Sequence, residues 1–128
     1  MTNCACGNTK NYMECCELIH KNIDKATTAE ELMRSRYTAY TVADIAYLMK
    51  SHHSTTRPIK EKKEILRWAK TMHWIRLEVL ACTKGSCNDI EGTVAFKAFY
   101  HDGTQVQMLH ENSKFIRENG YWVYLGEV

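Results

Sequence analysis

The sequence lacks every feature that would place the chain in a membrane or on an export route. It has no apolar run near the roughly eighteen residues that a membrane-spanning helix requires, and its first residues do not form a signal peptide. Only one proline is present, and no repeat or low-complexity tract interrupts the 128 residues. We therefore expect a cytoplasmic protein, in which cysteines stay reduced.

Strong charge of either sign is also absent. The formal net charge is +2 at pH 7, and glutamates interrupt the most basic run, residues 60–64. The sequence contains no phosphate-binding glycine loop, no nucleophile elbow and no His-Glu-x-x-His zinc motif. Nucleic acid is therefore not an expected partner, and no short motif assigns an enzymatic reaction.

Cysteine, by contrast, is concentrated at the N-terminus, where four of the six cysteines lie within sixteen residues. These four are Cys4, Cys6, Cys15 and Cys16. Four thiolates can close a tetrahedral shell around zinc, and a shell without an open position is typical of a structural site. Disulfides and unmetallated thiols are the alternatives. We predict a structural Zn²⁺ on these four residues and free thiols at Cys82 and Cys87.

Hydrophobic periodicity divides the rest of the chain into helices followed by strands. Helices are predicted at residues 12–20, 27–42, 44–50 and 59–72, the second opening on overlapping capping boxes. Alternating runs predict strands at residues 74–81, 92–101, 105–115 and 121–125, separated by turn signals. The result is an α+β fold with a four-stranded antiparallel meander. We expect residues 1–22, the cysteine element, to precede a domain of residues 23–128.

Several of these segments match known motifs. Cys4-x-Cys6-Gly7-Asn8-x-x-x-Tyr12-x-x-Cys15-Cys16 resembles the SEC-C motif, the zinc-binding element named for the SecA C-terminus. Leu32-Met33-Arg34-Ser35-Arg36-Tyr37-Thr38-Ala39-Tyr40 resembles the hallmark of the YchJ family of bacterial proteins. Further matches follow in the family's order, at Trp74-x-x-Leu77, Leu109-His110-Glu111-x-Ser113-x-Phe115-x-Arg117 and Gly120-x-Trp122-x-Tyr124.

This resemblance implies a fold. Members pair the SEC-C element with a domain similar to nuclear transport factor 2, in which a curved antiparallel sheet wraps around helices and forms a conical cavity. One departure concerns the loop after the short helix, where members usually carry Thr-Trp-His and this chain has Ser51-His52-His53.

Helix and strand geometry indicate which charged residues face inward. On the long helix, Arg36 shares a face with Tyr37, whereas Arg34 lies on the opposite side and is expected to face solvent. On the third strand, Glu111 shares a face with Leu109 and Phe115.

A carboxylate on that apolar face should find a cation. Arg36 is the expected partner of Glu111, and Arg117 is the same-face alternative. The pair either fixes the helix on the sheet as a structural ion pair or, with Tyr37, His53 and Trp74, forms a pocket for a small polar ligand.

Two functions follow as hypotheses. The first is a non-enzymatic, zinc-containing binding or adaptor protein, whose zinc element docks on another protein, as the similarity to the SecA tail implies, and whose cavity takes a ligand. The alternative is a small-molecule enzyme of isomerase, dehydratase or hydrolase type that uses Glu111, His53 and Arg36. Because sheets of this type often dimerise through an exposed face, a homodimer is a further hypothesis.

Overall fold

The computed structural model describes residues 3–128, so that Met1 and Thr2 of the predicted cysteine element lie outside the described residues. Helices precede strands, as predicted. The helices are α1 (Cys16–Lys21), α2 (Ala29–Thr41), α3 (Ile45–Lys50) and α4 (Lys62–Thr71), and short 3₁₀ turns lie at Tyr12–Glu14, Ile23–Lys25 and Ile59–Glu61. The strands are β1 (His73–Lys84), β2 (Glu91–His101), β3 (Val106–Glu118) and β4 (Tyr121–Glu127).

Helix α2 begins where the capping boxes predicted. The Thr28 hydroxyl accepts from the backbone N–H of Glu31, and the Glu31 carboxylate accepts in turn from the N–H and hydroxyl of Thr27. The Thr28 hydroxyl thereby satisfies one orphan donor of the first turn, and the Glu31 carboxylate fixes Thr27 ahead of the helix. The helix is buried along most of its length, which makes it the central element of the fold.

The four strands form one antiparallel sheet in the order β1-β2-β3-β4. The pairing of β1 with β2 shifts register twice, and that of β3 with β4 shifts once at Lys114 and Phe115. Such bulges increase local twist and bend a strand. The sheet therefore curves around α2 and presents it with a concave face.

The core lies between that concave face and the helices. Fully buried side chains include Leu32 of α2, Leu48 of α3 and Trp122 of β4. The indole N–H of Trp122 donates to the carbonyl of Thr27 over 3.1 Å, so the start of α2 is fixed to the far strand. Among residues 3–128, no helix is both long and apolar enough to cross a membrane.

Candidate metal centre and cavity

The four N-terminal cysteines converge on one point. Their sulfur atoms all lie within 4.8 Å of one another, and Cys4, Cys6 and Cys16 are buried. The turn between the first pair and the helix is closed by the Cys4 N–H, which donates to the carbonyl of Lys10 over 2.7 Å. Gly7, at a φ of +96°, lets the chain reverse directly after Cys6.

The spacing of the sulfurs fits a tetrahedral metal ion. Sγ of Cys6 lies 3.6 Å from Sγ of Cys15, and the sulfurs of Cys15 and Cys16 are 4.0 Å apart. Sulfurs around zinc, with Zn–S distances of about 2.3 Å, lie about 3.8 Å from one another. All six cysteines are free thiols, including exposed Cys82 and Cys87. The cluster is therefore a set of four soft donors that could hold one metal ion.

The thiols cannot all ionise without a cation among them. A hydrogen bond from Cys16 lowers the pKa of Cys6 to about 5, whereas burial and the nearby charge of Cys6 raise the pKa of Cys15 to about 12. The pKa of Cys16 is raised as well, chiefly because its thiol donates to Cys6. A divalent cation would remove this mutual repulsion, since a thiol that coordinates a metal is deprotonated.

Helix α2 contacts the cysteine cluster directly. The hydroxyl of Thr38 lies 3.8 Å from Sγ of Cys4, and the guanidinium of Arg34 donates to the carbonyl of Cys6 as well as to Glu30. The prediction that Arg34 faces solvent is therefore wrong. The helical pattern assigned the polar side of α2 to water, but the cysteine element packs on that side.

His20 is a second link that the sequence did not indicate. Its Nε2 is 2.8 Å from the carbonyl oxygen of Ser35, and its Nδ1 is 2.8 Å from the hydroxyl of Tyr12. Because a carbonyl only accepts, Nε2 carries a proton and donates it to Ser35, while Nδ1 shares a hydrogen bond with the Tyr12 hydroxyl. The ring also packs on Tyr47 of α3, with centroids 4.6 Å apart.

A cavity of about 160 Å³ lies on the opposite side of α2, between that helix, α4 and the concave sheet. Seven of its eighteen lining residues are aromatic: Tyr37, Tyr40, Trp68, Trp74, Phe96, Phe115 and Tyr124. Polar groups reach it from Arg36, Glu111, Ser113 and His52. The predicted inward direction of Arg36 and Glu111 thus agrees with the structure, and Tyr37 and Trp74 also line the cavity.

Arg36 and Glu111 do not form the expected ion pair. Nη1 of Arg36 donates instead to the carbonyl of Leu48 over 2.9 Å and to the hydroxyl of Ser51 over 2.7 Å, and the guanidinium lies over the ring of Tyr124. No nitrogen of Arg36 lies within 4.0 Å of a carboxylate oxygen in residues 3–128. The arginine is used to hold the C-terminal end of α3 against α2.

Two polar groups of β3 are left without partners in the described structure. Glu111 makes no hydrogen bond or ion pair there, and burial, followed by the charge of Glu127, raises the pKa of its carboxyl group, while Arg36 lowers it. The hydroxyl of Ser113, 1% exposed, has no hydrogen-bond partner at all. Buried polar atoms are nearly always paired, so an unpaired hydroxyl in a cavity wall marks a place for a ligand or water.

The histidine in the cavity is His52, not His53. Residues 51–53 run along the edge of β4, with the Tyr124 N–H donating to Ser51 and the His53 N–H donating to Tyr124, each over 2.8 Å. Neighbouring residues of an extended segment face opposite ways. His52 therefore packs on Tyr124, with centroids 4.9 Å apart, and burial lowers its pKa to about 4.

His53 and Arg117 lie outside the cavity lining. His53 faces Thr55 and Glu118 on the other side of the loop. Arg117 lies over the ring of Trp122 and donates to the carbonyls of Cys87, Asp89 and Gly120. It therefore fixes the β1–β2 connection and is not available to Glu111.

Comparison with known proteins gives the same architecture. The family described as "YchJ, middle NTF2-like domain" matches residues 28–126. A UPF0225 protein of Geobacter sulfurreducens is 42% identical over 125 residues, which are 97% of this chain and 78% of that protein. A UPF0225 protein of Streptomyces coelicolor is 41% identical over 121 residues, or 94% of this chain and 90% of that protein.

Solved structures extend the similarity to the cysteine element. The solution structure of a SEC-C motif containing protein from Rhodopseudomonas palustris has a TM-score of 0.87 at 30% identity and covers 99% of this chain and 98% of that one. A crystal structure of such a protein from Psychrobacter arcticus has a TM-score of 0.82 at 28% identity, with 98% and 81% covered. With its cysteine cluster and its NTF2-like domain, the chain belongs to the YchJ family, whose members are named UPF0225 proteins.

Proposed function

We propose that this protein binds a small molecule in the aromatic cavity and uses a structural zinc ion to brace the helix that carries it. In this proposal the cavity binds the ligand, and the zinc site stabilises the helix that lines the cavity. The observation that carries the proposal is the unpaired hydroxyl of Ser113, which lies in the wall of the cavity that the buried Arg36 also lines.

The donor set supports zinc in the cysteine cluster. Cys4, Cys6, Cys15 and Cys16 would supply four thiolates, a set that suits zinc and leaves no position for a substrate or a reactive water. The bound ion would supply charge neutralisation and cross-linking of the chain. Thr38 and Arg34 would support this shell from α2, in the manner in which outer groups orient metal ligands.

Binding is favoured over catalysis because the predicted acid–base set is not assembled. His53 lies outside the cavity, and His52 replaces it with a pKa lowered to about 4, which keeps that ring neutral near pH 7. A histidine in this state is a poor general base. Glu111, with its raised pKa, is the carboxylic acid in the described lining that an enzymatic alternative could use.

A docking role for the cysteine element would use its exposed apolar side chains. Met13 and Leu18 are 68% and 49% exposed there, and a protein partner would cover them. The adaptor hypothesis therefore predicts that Met13→Ser with Leu18→Ser retains zinc and the fold but loses the partner. The homodimer stays a prediction.

The binding function is tested with benzene as probe. An engineered apolar cavity of about 150 Å³ binds benzene, so a cavity of this size should hold it too. We expect saturable binding to the metal-loaded protein, with NMR shifts at Tyr37, Ser113 and Tyr124, and a zinc content near one ion per chain. Failure of metal-loaded protein to bind benzene or any polar probe of the same ring size would contradict the function, and metal-free, fully folded protein would contradict the zinc site.

A further inference from the structure

The buried guanidinium of Arg36 is only partly satisfied by the protein. Its Nη1 makes both hydrogen bonds that the side chain forms, to Leu48 and Ser51, so Nε and Nη2 have no acceptor in residues 3–128. The residue is 9% exposed. A guanidinium stays charged in proteins, and a buried cation is stabilised by a paired anion. Glu111 acts on Arg36 only from beyond ion-pair distance, so the two free nitrogens can still take an anion that fits beside them.

Exposure along β3 shows which polar groups are deep and which are near the opening. Phe115 and Ser113 are each 1% exposed, Glu111 is half-buried and Leu109 is 37% exposed. The cavity therefore opens towards Leu109, and the unpaired hydroxyl of Ser113 belongs to its floor. Glu111 stands nearer the mouth.

The two charges in the cavity differ in whether they can be removed. Glu111 can take up a proton, and its pKa is already raised by burial and by Glu127. Arg36 cannot lose its proton at any physiological pH. An anionic ligand can therefore be accommodated by proton uptake at Glu111, whereas Arg36 repels a cationic ligand at every such pH.

The walls limit the rest of the ligand. Tyr37 and Trp74 meet edge to face with centroids 5.9 Å apart, and Trp68 closes the α4 side, 5.0 Å from Trp74. Flat aromatic faces favour a flat ring. A volume of about 160 Å³ leaves space for one six-membered ring with a small substituent.

We propose that the cavity binds a small aromatic monoanion of about the size of benzoate, with its carboxylate against Arg36 and Ser113 and its ring between the aromatic walls. This assignment rests on the proposed binding function and adds the charge and shape of the ligand. Arg36 would donate from its free nitrogens, Ser113 would donate its hydroxyl proton, and Glu111 would oppose a second negative charge at the mouth.

The test compares three probes of one shape on the metal-loaded full chain: benzoate, neutral benzamide and cationic benzamidine. Dissociation constants are measured by NMR titration. We expect benzoate to bind at least about tenfold more tightly than benzamide, because charge-assisted hydrogen bonds are the stronger ones. Benzamidine should bind most weakly.

Three variants separate the contributions. Ser113→Ala should raise the dissociation constant for benzoate by about threefold to tenfold, with a smaller change for benzamide. Glu111→Gln should raise the affinity for benzoate. Glu64→Gln, on the exposed face of α4, should leave that affinity unchanged. Arg36→Lys should lower the affinity for benzoate if the variant folds. If it does not fold, Ser113→Ala and Glu111→Gln test the anion assignment.

Each outcome has one meaning. If benzamide or benzamidine binds as tightly as benzoate, the anion assignment is overturned. Benzene binding in the same experiment would still support the binding function of the cavity. Benzoate affinity unaffected by Ser113→Ala and Glu111→Gln would also overturn it. Failure of benzene and of all three probes would reject the binding function itself.

Discussion

The imidazole of His20 donates from Nε2 to the carbonyl oxygen of Ser35 over 2.8 Å, and this bond joins the cysteine element to the helix that carries the cavity. Ser35 directly precedes Arg36, whose side chain lies on the cavity side. Helix α2 thus has one face on the cysteines, through Arg34 and Thr38, and another on the cavity. A metal that orders the first face should therefore also order the second.

Replacing two of the four clustered cysteines should abolish the proposed zinc site and much of the stability. For Cys4→Ser with Cys15→Ser we expect loss of zinc and a fall of several kcal/mol in the free energy of unfolding, because a structural zinc ion contributes directly to folding. Elemental analysis and thermal unfolding measure the two effects. Cys87→Ser, at an exposed free thiol of the β1–β2 connection, is the control and should change neither.

Replacing Arg34 should weaken the contact between the cysteine element and α2. Arg34→Met removes the hydrogen bonds to the Cys6 carbonyl and to Glu30, and should cost about 1–3 kcal/mol of unfolding free energy. Arg67→Met, at an exposed position of α4, should cost much less. Urea unfolding of both variants measures the difference. Equal costs would mean that Arg34 does not hold the element in place.

Two buried serines should respond to alanine in opposite ways. Ser113→Ala removes an unpaired hydroxyl and should leave the free energy of unfolding unchanged or raise it by up to about 1 kcal/mol. Ser35→Ala removes a hydroxyl that bonds Leu32 and the buried Tyr47, and should cost about 1–3 kcal/mol. A larger cost for Ser113→Ala than for Ser35→Ala in chemical unfolding would show that the Ser113 hydroxyl has a partner in solution.

The elements of the fold could be predicted because local signals agreed with the final structure. The capping threonine, the switch from helical to alternating periodicity and the Asp-Gly and Asn-Gly turns mark each boundary within a few residues. Strand β1 is longer than predicted, ending at Lys84, because its last residues are exposed and show no alternation.

The site could be predicted only in part, because it depends on contacts between distant segments. The inward direction of Arg36 and Glu111 follows from periodicity, but their failure to pair depends on the carbonyl of Leu48, which offers Arg36 a nearer acceptor. His52 faces the cavity in place of His53 because it pairs with Tyr124, which lies about seventy residues away in the sequence.

The buried ring of His52 should make stability depend on pH. Its pKa is about 4 in the folded protein against an ordinary value of 6.5, so the unfolded chain binds more protons between these values. The contribution of neutral His52 to the free energy of unfolding is present above pH 6.5 and is lost as pH falls towards 4. The loss is about 1–2 kcal/mol after allowing for solvent screening.

The comparison with His52→Phe isolates this effect from other titrating groups. Glu111 contributes with the opposite sign, because its raised pKa favours the folded state as it becomes protonated. We expect the variant to lose less stability than the wild type over the same acid range in pH-dependent urea unfolding. Parallel profiles for the two proteins would contradict the burial of His52.

The most direct test of zinc support for the cavity is the affinity for benzene of metal-loaded and metal-stripped protein under the same conditions. We expect saturable binding by the zinc-loaded chain and a loss of at least about tenfold in affinity on stripping, restored when zinc is added back. Equal affinity in the two states, with zinc confirmed absent from one, would contradict the claim that the zinc site supports the cavity.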